Sequence, residues 1–111
     1  MVKQAAEPFE RVSVGQAKEL YDRHEGVWID VREPAEWQRV RIPGSTLVPL
    51  NGLLVAPHKH LQGQSAVVFY CAQGIRSAVA CEVAAAMDIP KIYNVEGGIE
   101  DWEAKGYPVE K

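Results

Sequence analysis

Residues 65–76 read SAVVFYCAQGIR, an apolar run followed by a short polar turn. Residues 65–71 predict a buried strand, because the run is short, continuous and rich in β-branched and aromatic residues. The alanine-rich stretch from Ser77 to Met87 predicts a helix directly after the turn. A strand, a short turn and a helix in this order are typical of α/β proteins.

The alternation of strands and helices extends over the rest of the chain. Ser13 and Gln16 have capping-box spacing, which predicts a helix from Ser13 that ends at Gly26. His58 to Gln64 is interpreted as a polar loop. The remaining predicted strands cover residues 9–12, 27–31, 46–49 and 92–95, and short helices are predicted near residues 34–39, 53–55 and 99–105. This order predicts an α/β fold with a mostly parallel sheet, whose ligand crevice lies beyond the carboxyl ends of the strands.

Length and composition predict one globular domain over residues 9–111, preceded by a short polar tail at residues 1–8. The 111 residues are 47% hydrophobic and 24% charged, with a formal net charge of −3. With this net charge, the chain lacks the excess of basic residues that is typical of nucleic-acid-binding proteins. No apolar run approaches the roughly 20 residues that a membrane span needs. Two cysteines and a start without an apolar signal segment indicate a reducing, cytoplasmic compartment.

Cys71 lies where the strongest predicted strand meets a helix. The first turn of a helix has unpaired N–H groups and a positive dipole end, so a thiolate is stabilised there and the thiol pKa falls. Gly74 permits the positive φ of a loop that turns its N–H groups inward, and Arg76 adds a cation. We therefore favour a reactive thiol over the alternative of a small buried apolar residue.

Three motifs in this order resemble the signatures of single-domain rhodaneses, which are sulfurtransferases. The loop at residues 71–76 (CAQGIR) resembles the C-x-x-G-x-R active-site loop. Residues 30–37 (DVREPAEW) and 42–45 (IPGS) resemble an upstream D-V-R-x-x-x-E and H-I-P-G-A signature. Residues 97–102 (GGIEDW) and 106–109 (GYPV) resemble the carboxyl-terminal G-G-x-x-x-W and G-x-P-V. The likeness covers nearly the whole chain.

The resemblance implies a three-layer fold, with helices on both faces of the sheet, and a covalent reaction. Cys71 would take a sulfane sulfur from a donor, become a persulfide and pass the sulfur to a nucleophile such as cyanide or a thiol. It implies no cofactor and no metal. Partners would be a small donor and a thiophilic acceptor, with a protein donor or acceptor as a further candidate. The residues implied to bind substrate through the loop are Ala72, Gln73, Gly74, Ile75 and Arg76.

Two alternatives stay open beside the enzyme. One is a sulfur-relay or regulatory module with the same fold. The other, a small phosphatase or arsenate reductase, is disfavoured because those relatives carry five residues between the cysteine and the arginine, whereas four separate Cys71 from Arg76. Gln73 and Ile75 are neutral, which makes efficient use of thiosulfate doubtful. Arg41 stands where many family members have a histidine, and it either attracts an anionic donor or is a solvated surface charge.

Other candidate residues are interpreted as structural. Asp30 and Arg32 are expected to pair in support of the site rather than to act as an acid and a base. Cys81 lies too far along the helix for a disulfide with Cys71 and is interpreted as core. His58 and His60 lack a third metal ligand. The tryptophans are expected in the core or around it: Trp28, Trp37 and Trp102.

Overall fold

The structure, a computed structural model, describes residues 7–111 and has an α/β architecture. Most of the tail predicted at residues 1–8 lies outside the described residues. The strands are β1 (Glu10–Val12), β2 (Val27–Asp30), β3 (Thr46–Leu47), β4 (Ala66–Tyr70) and β5 (Lys91–Val95). The helices are α1 (Val14–Asp22), α2 (Pro34–Arg39), α3 (Leu50–Val55), α4 (Pro57–Leu61), α5 (Ile75–Ala86) and α6 (Gly98–Ala104).

The five strands form one parallel sheet in the order β1-β5-β4-β2-β3. Strand β4 is central, with Tyr70 in register with Asp30 of β2 and Phe69 in register with Asn94 of β5. Three strands that are distant in sequence therefore end side by side. The topology places the residues after β4 in the crevice where α/β sheets bind ligands.

The side chains of β4 alternate between two hydrophobic layers. Val67 and Phe69 pack with helices α3 to α5, whereas Val68 and Tyr70 pack with α1 and α6. All four are fully buried, as expected for a central parallel strand. The predicted three-layer α/β fold is confirmed. Because Cys71 continues the alternation, it lies on the α5 side of the sheet.

Helix α1 begins as predicted but ends earlier. Ser13 and Gln16 form both hydrogen bonds of the capping box. The helix ends at Asp22. His24, at φ 56°, donates its N–H to the carbonyl of Tyr21, and the N–H of Glu25 donates to the carbonyl of Leu20. This is a Schellman motif, so the predicted role of Gly26 was wrong. Gly26, at φ 77°, instead forms the turn that leads into β2.

The loop predicted from His58 to Gln64 was also wrong over its first half, because Pro57 to Leu61 form helix α4. Pro57 occupies the first turn, where its missing N–H costs nothing. Leu61 is fully buried and anchors the helix to the core. A five-residue helix with one buried side chain shows no hydrophobic period, so its polar sequence resembles a loop. Across residues 7–111, the helices are too short or too polar to cross a lipid bilayer.

Candidate active site

The carboxyl ends of the three central strands bring the candidate site together. Cys71 directly follows β4, Asp30 ends β2, and Asn94 lies one residue before the end of β5. All three side chains are buried. The sequence separation between them is bridged by the parallel pairing of the strands, which places their ends at one edge of the sheet.

The sulfur of Cys71 occupies the N-terminus of helix α5. Gly74 is the N-cap residue, and its N–H donates to Sγ over 3.1 Å. The N–H of Ser77, the third residue of the helix, donates to Sγ over 3.4 Å. These N–H groups belong to the set that a helix leaves without internal partners. The sulfur therefore accepts hydrogen bonds from N–H groups that the helix leaves unpaired, and the positive end of the helix dipole stabilises negative charge on the sulfur.

The pKa of the Cys71 thiol is set by two opposing effects. Burial raises it, since burial disfavours the charged thiolate. The backbone N–H groups of Ser77, Gln73 and Gly74 lower it, and so does the hydroxyl of Ser77 when it turns to donate to the sulfur. The hydrogen bonds outweigh burial, and the pKa lies below the ordinary value for cysteine. The direction predicted from the sequence is confirmed.

Behind the sulfur lies a buried polar network. Ser77 Oγ is 3.4 Å from Cys71 Sγ and donates to Asn94 Oδ1 over 2.5 Å. Asn94 Nδ2 donates to the carbonyl oxygen of Gly74 over 3.1 Å. The network links the end of β5 to both the loop and the first turn of α5. Asn94 holds the loop through the backbone carbonyl of Gly74, and the side chain of Ser77 contacts the sulfur.

A second helix terminus supports the loop from outside. At the start of α6, the N–H of Ile99 donates to the carbonyl of Cys71 over 2.9 Å, and that of Glu100 donates to the carbonyl of Ala72 over 3.2 Å. Gly98 brings this terminus close, because a Cβ on it would lie 2.6 Å from the nitrogen of Gln73. Gly98 is thus a packing requirement of the active-site loop, whereas a Cβ on Gly97 would meet the side chain of Asp101 on α6.

Arg76 does not present a free charge. Its two terminal nitrogens donate to the carboxylate of Glu36 on α2, over 2.8 and 3.0 Å. The N–H of Glu33 and the side chain of Arg76 both donate to Glu36 Oε1. The pair fastens the first turn of α5 to α2, and the hydrogen bond from Arg76 lowers the pKa of Glu36 from 4.5 to about 2.

This pair predicts an acid-sensitive contribution to stability. The folded pKa of Glu36 is depressed, so its contribution is complete above pH 4.5 and is lost as pH falls toward 2. We expect Glu36→Gln to lower the free energy of unfolding at pH 7 by about 1 kcal/mol, because Arg76 is partly exposed and solvent screens the pair. Urea unfolding at pH 7 and pH 3 measures the difference from wild type, which should shrink at pH 3. For the matched control, Glu82→Gln on the exposed face of α5, the difference in free energy of unfolding should not shrink in this way. A loss of stability in Glu36→Gln that grows toward pH 3 would contradict the assignment.

Asp30 and Arg32 form the expected pair. Arg32 donates to both carboxylate oxygens of Asp30, over 2.7 to 3.0 Å, and also to the carbonyl of Val40 over 2.6 Å. Both side chains are buried. A buried carboxylate held by a guanidinium in this way is a bridge between chain segments, here between the end of β2 and the residue after α2.

The remaining predicted residues fall outside the immediate surroundings of the sulfur. Gln73 and Ile75 are exposed on the loop, and Gln73 donates to Glu100 over 3.1 Å. Arg41 is held by Glu110 over 3.0 Å and lies against the ring of Trp37, so it ties the end of the chain to α2. Three residues are buried within the two core layers: Cys81, Trp28 and Trp102.

Sequence reasoning missed three residues of this site. Glu36 stands within the quoted motif at residues 30–37, but its partner is 40 positions away. Ser77 directly follows the loop arginine, and its place in the first helical turn was the available signal. Asn94 is a polar residue between Tyr93 and Val95 in a predicted strand, which was the signal for a buried hydrogen-bonding role. No group of three or more potential metal-ligating His, Cys, Asp or Glu side chains occurs within residues 7–111.

Comparison with known proteins identifies the family of the chain. The family profile of the Rhodanese-like domain matches residues 13–105. The chain belongs to the rhodanese-like domain family. This rhodanese-like domain is 27% identical over 96 residues to "Thiosulfate sulfurtransferase GlpE" of Pseudoalteromonas translucida, a match that covers 86% of this chain and 90% of that one. It is therefore a member of a family whose curated relatives include sulfurtransferases.

Solved structures of similar fold carry two different descriptions. A rhodanese-related protein from Thermoplasma volcanium superposes with a TM-score of 0.78 at 29% identity, covering 92% of this chain and 98% of that one. A protein of unknown function from Rhodopseudomonas palustris, described as a possible tyrosine phosphatase, superposes with a TM-score of 0.83 at 30% identity, covering 92% and 85%. The second description makes phosphatase chemistry the alternative to be tested.

Proposed function

We propose that this rhodanese-like domain transfers a sulfane sulfur through a persulfide on Cys71. The observation that carries the proposal is the position of Sγ at the N-terminus of α5, with the N–H groups of Gly74 and Ser77 directed at it. A nucleophilic cysteine needs its thiolate, and this arrangement favours the thiolate. The sulfurtransferase relative supports the same reaction class.

The reaction has two displacement steps. The Cys71 thiolate attacks the outer sulfur of a donor such as thiosulfate; a new S–S bond forms, and sulfite leaves with the electron pair of the bond that breaks. Cyanide or a thiolate then attacks the outer sulfur, takes it and releases the Cys71 thiolate. We assign the stabilisation of the anionic sulfur to the N–H groups of the loop formed by Ala72, Gln73, Gly74, Ile75 and Arg76, together with Ser77.

The exposed surface of the loop favours a donor other than thiosulfate. Ile75 is 73% exposed and Gln73 is neutral, so neither attracts a small dianion. The charge of Arg76 is neutralised by Glu36. We therefore propose a low-molecular-weight polysulfide or a protein-borne persulfide as the better donor. We also propose a cytoplasmic location, which the two free thiols support.

The test of the reaction class compares two activities of the same preparation. We expect thiocyanate formation from cyanide with thiosulfate, and a higher rate with polysulfide, beside negligible hydrolysis of an aryl phosphate. Aryl phosphate hydrolysis faster than thiocyanate formation with every donor would replace the sulfurtransferase proposal by the phosphatase alternative. Persulfide formation on Cys71 without turnover would favour the relay module.

Loop length gives an independent prediction. Four residues between Cys71 and Arg76 give a narrower loop than the five of the related phosphatases, and each N–H must point at the bound anion. We expect arsenate and vanadate to give little protection of Cys71 against alkylation. A glycine inserted after Gly74 should weaken sulfur transfer and increase that protection. Micromolar competitive protection of the unmodified protein would contradict the loop-size argument.

A further inference from the structure

The partners of Asn94 fix the direction in which its amide faces. Nδ2 is 3.1 Å from the carbonyl oxygen of Gly74, which can only accept a hydrogen bond. The opposite orientation would place two acceptors against each other. Oδ1 therefore faces Ser77, and since Oδ1 can only accept, the hydroxyl of Ser77 is the donor across the 2.5 Å between them.

Ser77 has one hydroxyl proton, and two neighbouring groups can accept a hydrogen bond from it: Asn94 Oδ1 and the Cys71 sulfur. With the proton on the side of Asn94, Ser77 Oγ presents a lone pair to Cys71 Sγ, 3.4 Å away. This arrangement accepts a hydrogen bond from the thiol but repels the thiolate. To stabilise the thiolate, the hydroxyl must turn and give up its hydrogen bond to Asn94.

We propose that Asn94 is a positioning residue that competes with the Cys71 thiolate for the single hydroxyl proton of Ser77. Asn94 hydrogen-bonds to Ser77 and to the carbonyl of Gly74, so it acts on the sulfur through Ser77. The thiol proton leaves to a base in the solvent, and the Ser77 proton changes partner in response. Asn94 thereby sets how readily Cys71 becomes nucleophilic. The inference rests on the proposed function only in treating Cys71 as the reacting group.

Other charges near the sulfur do not depend on Asn94. Arg76 with Glu36 faces the loop from α5 and α2, and the thiol of Cys81 lies deeper on α5. Further ionisable groups at this edge are a buried pair, an acid on α6 and an acid directly after β5 whose backbone lies against Gly74: Asp30, Arg32, Glu100 and Glu96. Because Asn94 is neutral, its replacement by alanine leaves all these charges in place, so a shift in Cys71 titration reports the hydrogen-bond network.

A double-mutant cycle tests the competition. The rate of iodoacetamide alkylation against pH is measured for four proteins carrying Cys81→Ala: the parent, Asn94→Ala, Ser77→Ala and both together. We expect Asn94→Ala to lower the inflection by roughly 0.5 to 1 pH unit when Ser77 is present, the size that one released hydrogen bond gives. In the Ser77→Ala background, the same substitution should not lower it.

The alternative is that Asn94 only supports the loop through Gly74. Its loss would then raise the inflection in both backgrounds, because the N–H groups would no longer be directed at the sulfur. A rise, no change, or an equal fall in both backgrounds overturns the proposal. Alkylation does not require sulfur transfer, so this result is separate from failure of the proposed function.

A measurement on the unmodified protein covers the case in which Asn94→Ala does not fold. The buried hydroxyl proton of Ser77 should be observable by NMR at low pH, with a nuclear Overhauser contact to Asn94. We expect its chemical shift to change through the same pH range in which Cys71 ionises, as the proton turns to the sulfur. A hydroxyl resonance that stays constant through that range overturns the proposal.

Discussion

Replacing Cys71 by serine is expected to reduce thiocyanate formation by roughly 10³-fold or more, the scale of losing a covalent nucleophile. The hydroxyl of serine is far less acidic than a thiol, so the N-terminus of α5 cannot convert it into a comparable nucleophile. The fold should survive, because the N–H groups of Gly74 and Ser77 keep an acceptor at the same position. The measurement is steady-state turnover with polysulfide and cyanide.

The matched control is Cys81→Ala, the other thiol on the same chain. Cys81 is fully buried in the core, and burial raises its pKa. It therefore lacks the thiolate that the reaction needs, and the variant should retain turnover close to wild type. Loss of activity in folded C81A, with activity retained in C71S, would show that the nucleophile has been assigned to the wrong cysteine.

Replacing Gly98 by alanine is expected to lower the free energy of unfolding by about 2–5 kcal/mol. A left-handed conformation, φ 65° here, costs a residue with a Cβ about 1–2 kcal/mol, and steric overlap adds about 1–3 kcal/mol. The overlap is with the backbone of Ala72 and Gln73, which belongs to the active-site loop. Sulfur transfer should therefore fall together with stability. Urea unfolding and turnover of the folded fraction measure the two effects.

Gly52→Ala is the control for a glycine without these constraints. Gly52 lies inside α3, and a Cβ there would meet no atom within 4 Å. Alanine is favoured over glycine inside a helix by up to about 1 kcal/mol, so this variant should be as stable as wild type or slightly more stable. A G98A protein as stable as G52A would contradict the close approach of α6 to the loop.

Sequence patterns predicted those features that depend on neighbouring residues. The capping box at Ser13, the buried run of β4 and the positive φ of Gly74, at 91°, are each set within a few positions. The ends of helices show the limit of this reasoning. A glycine, Gly106, follows α6 in the left-handed conformation, but His24 takes the same position after α1. Hydrogen bonding at the helix end stabilises that conformation in a residue that a glycine-based rule does not identify.

The missed parts of the site depend on contacts between distant segments. Glu36 meets Arg76 because α2 packs beside the loop, and Asn94 meets Ser77 because β4 and β5 are paired. A single sequence contains each residue but not the pairing that joins them. The glycine pair at residues 97–98 was recognised as a motif, but the reason for Gly98, its close approach to the backbone of Ala72 and Gln73, requires the folded chain.

The intact mass of the protein after incubation with a sulfane donor tests the central claim most directly. The protein, freed of excess donor, should gain the mass of one sulfur atom with polysulfide, lose it on addition of cyanide, and show the gain in C81A but not in C71S. A gain that persists after cyanide, that appears in C71S, or that no donor produces in folded wild type would contradict a Cys71 persulfide as the carrier of the transferred sulfur.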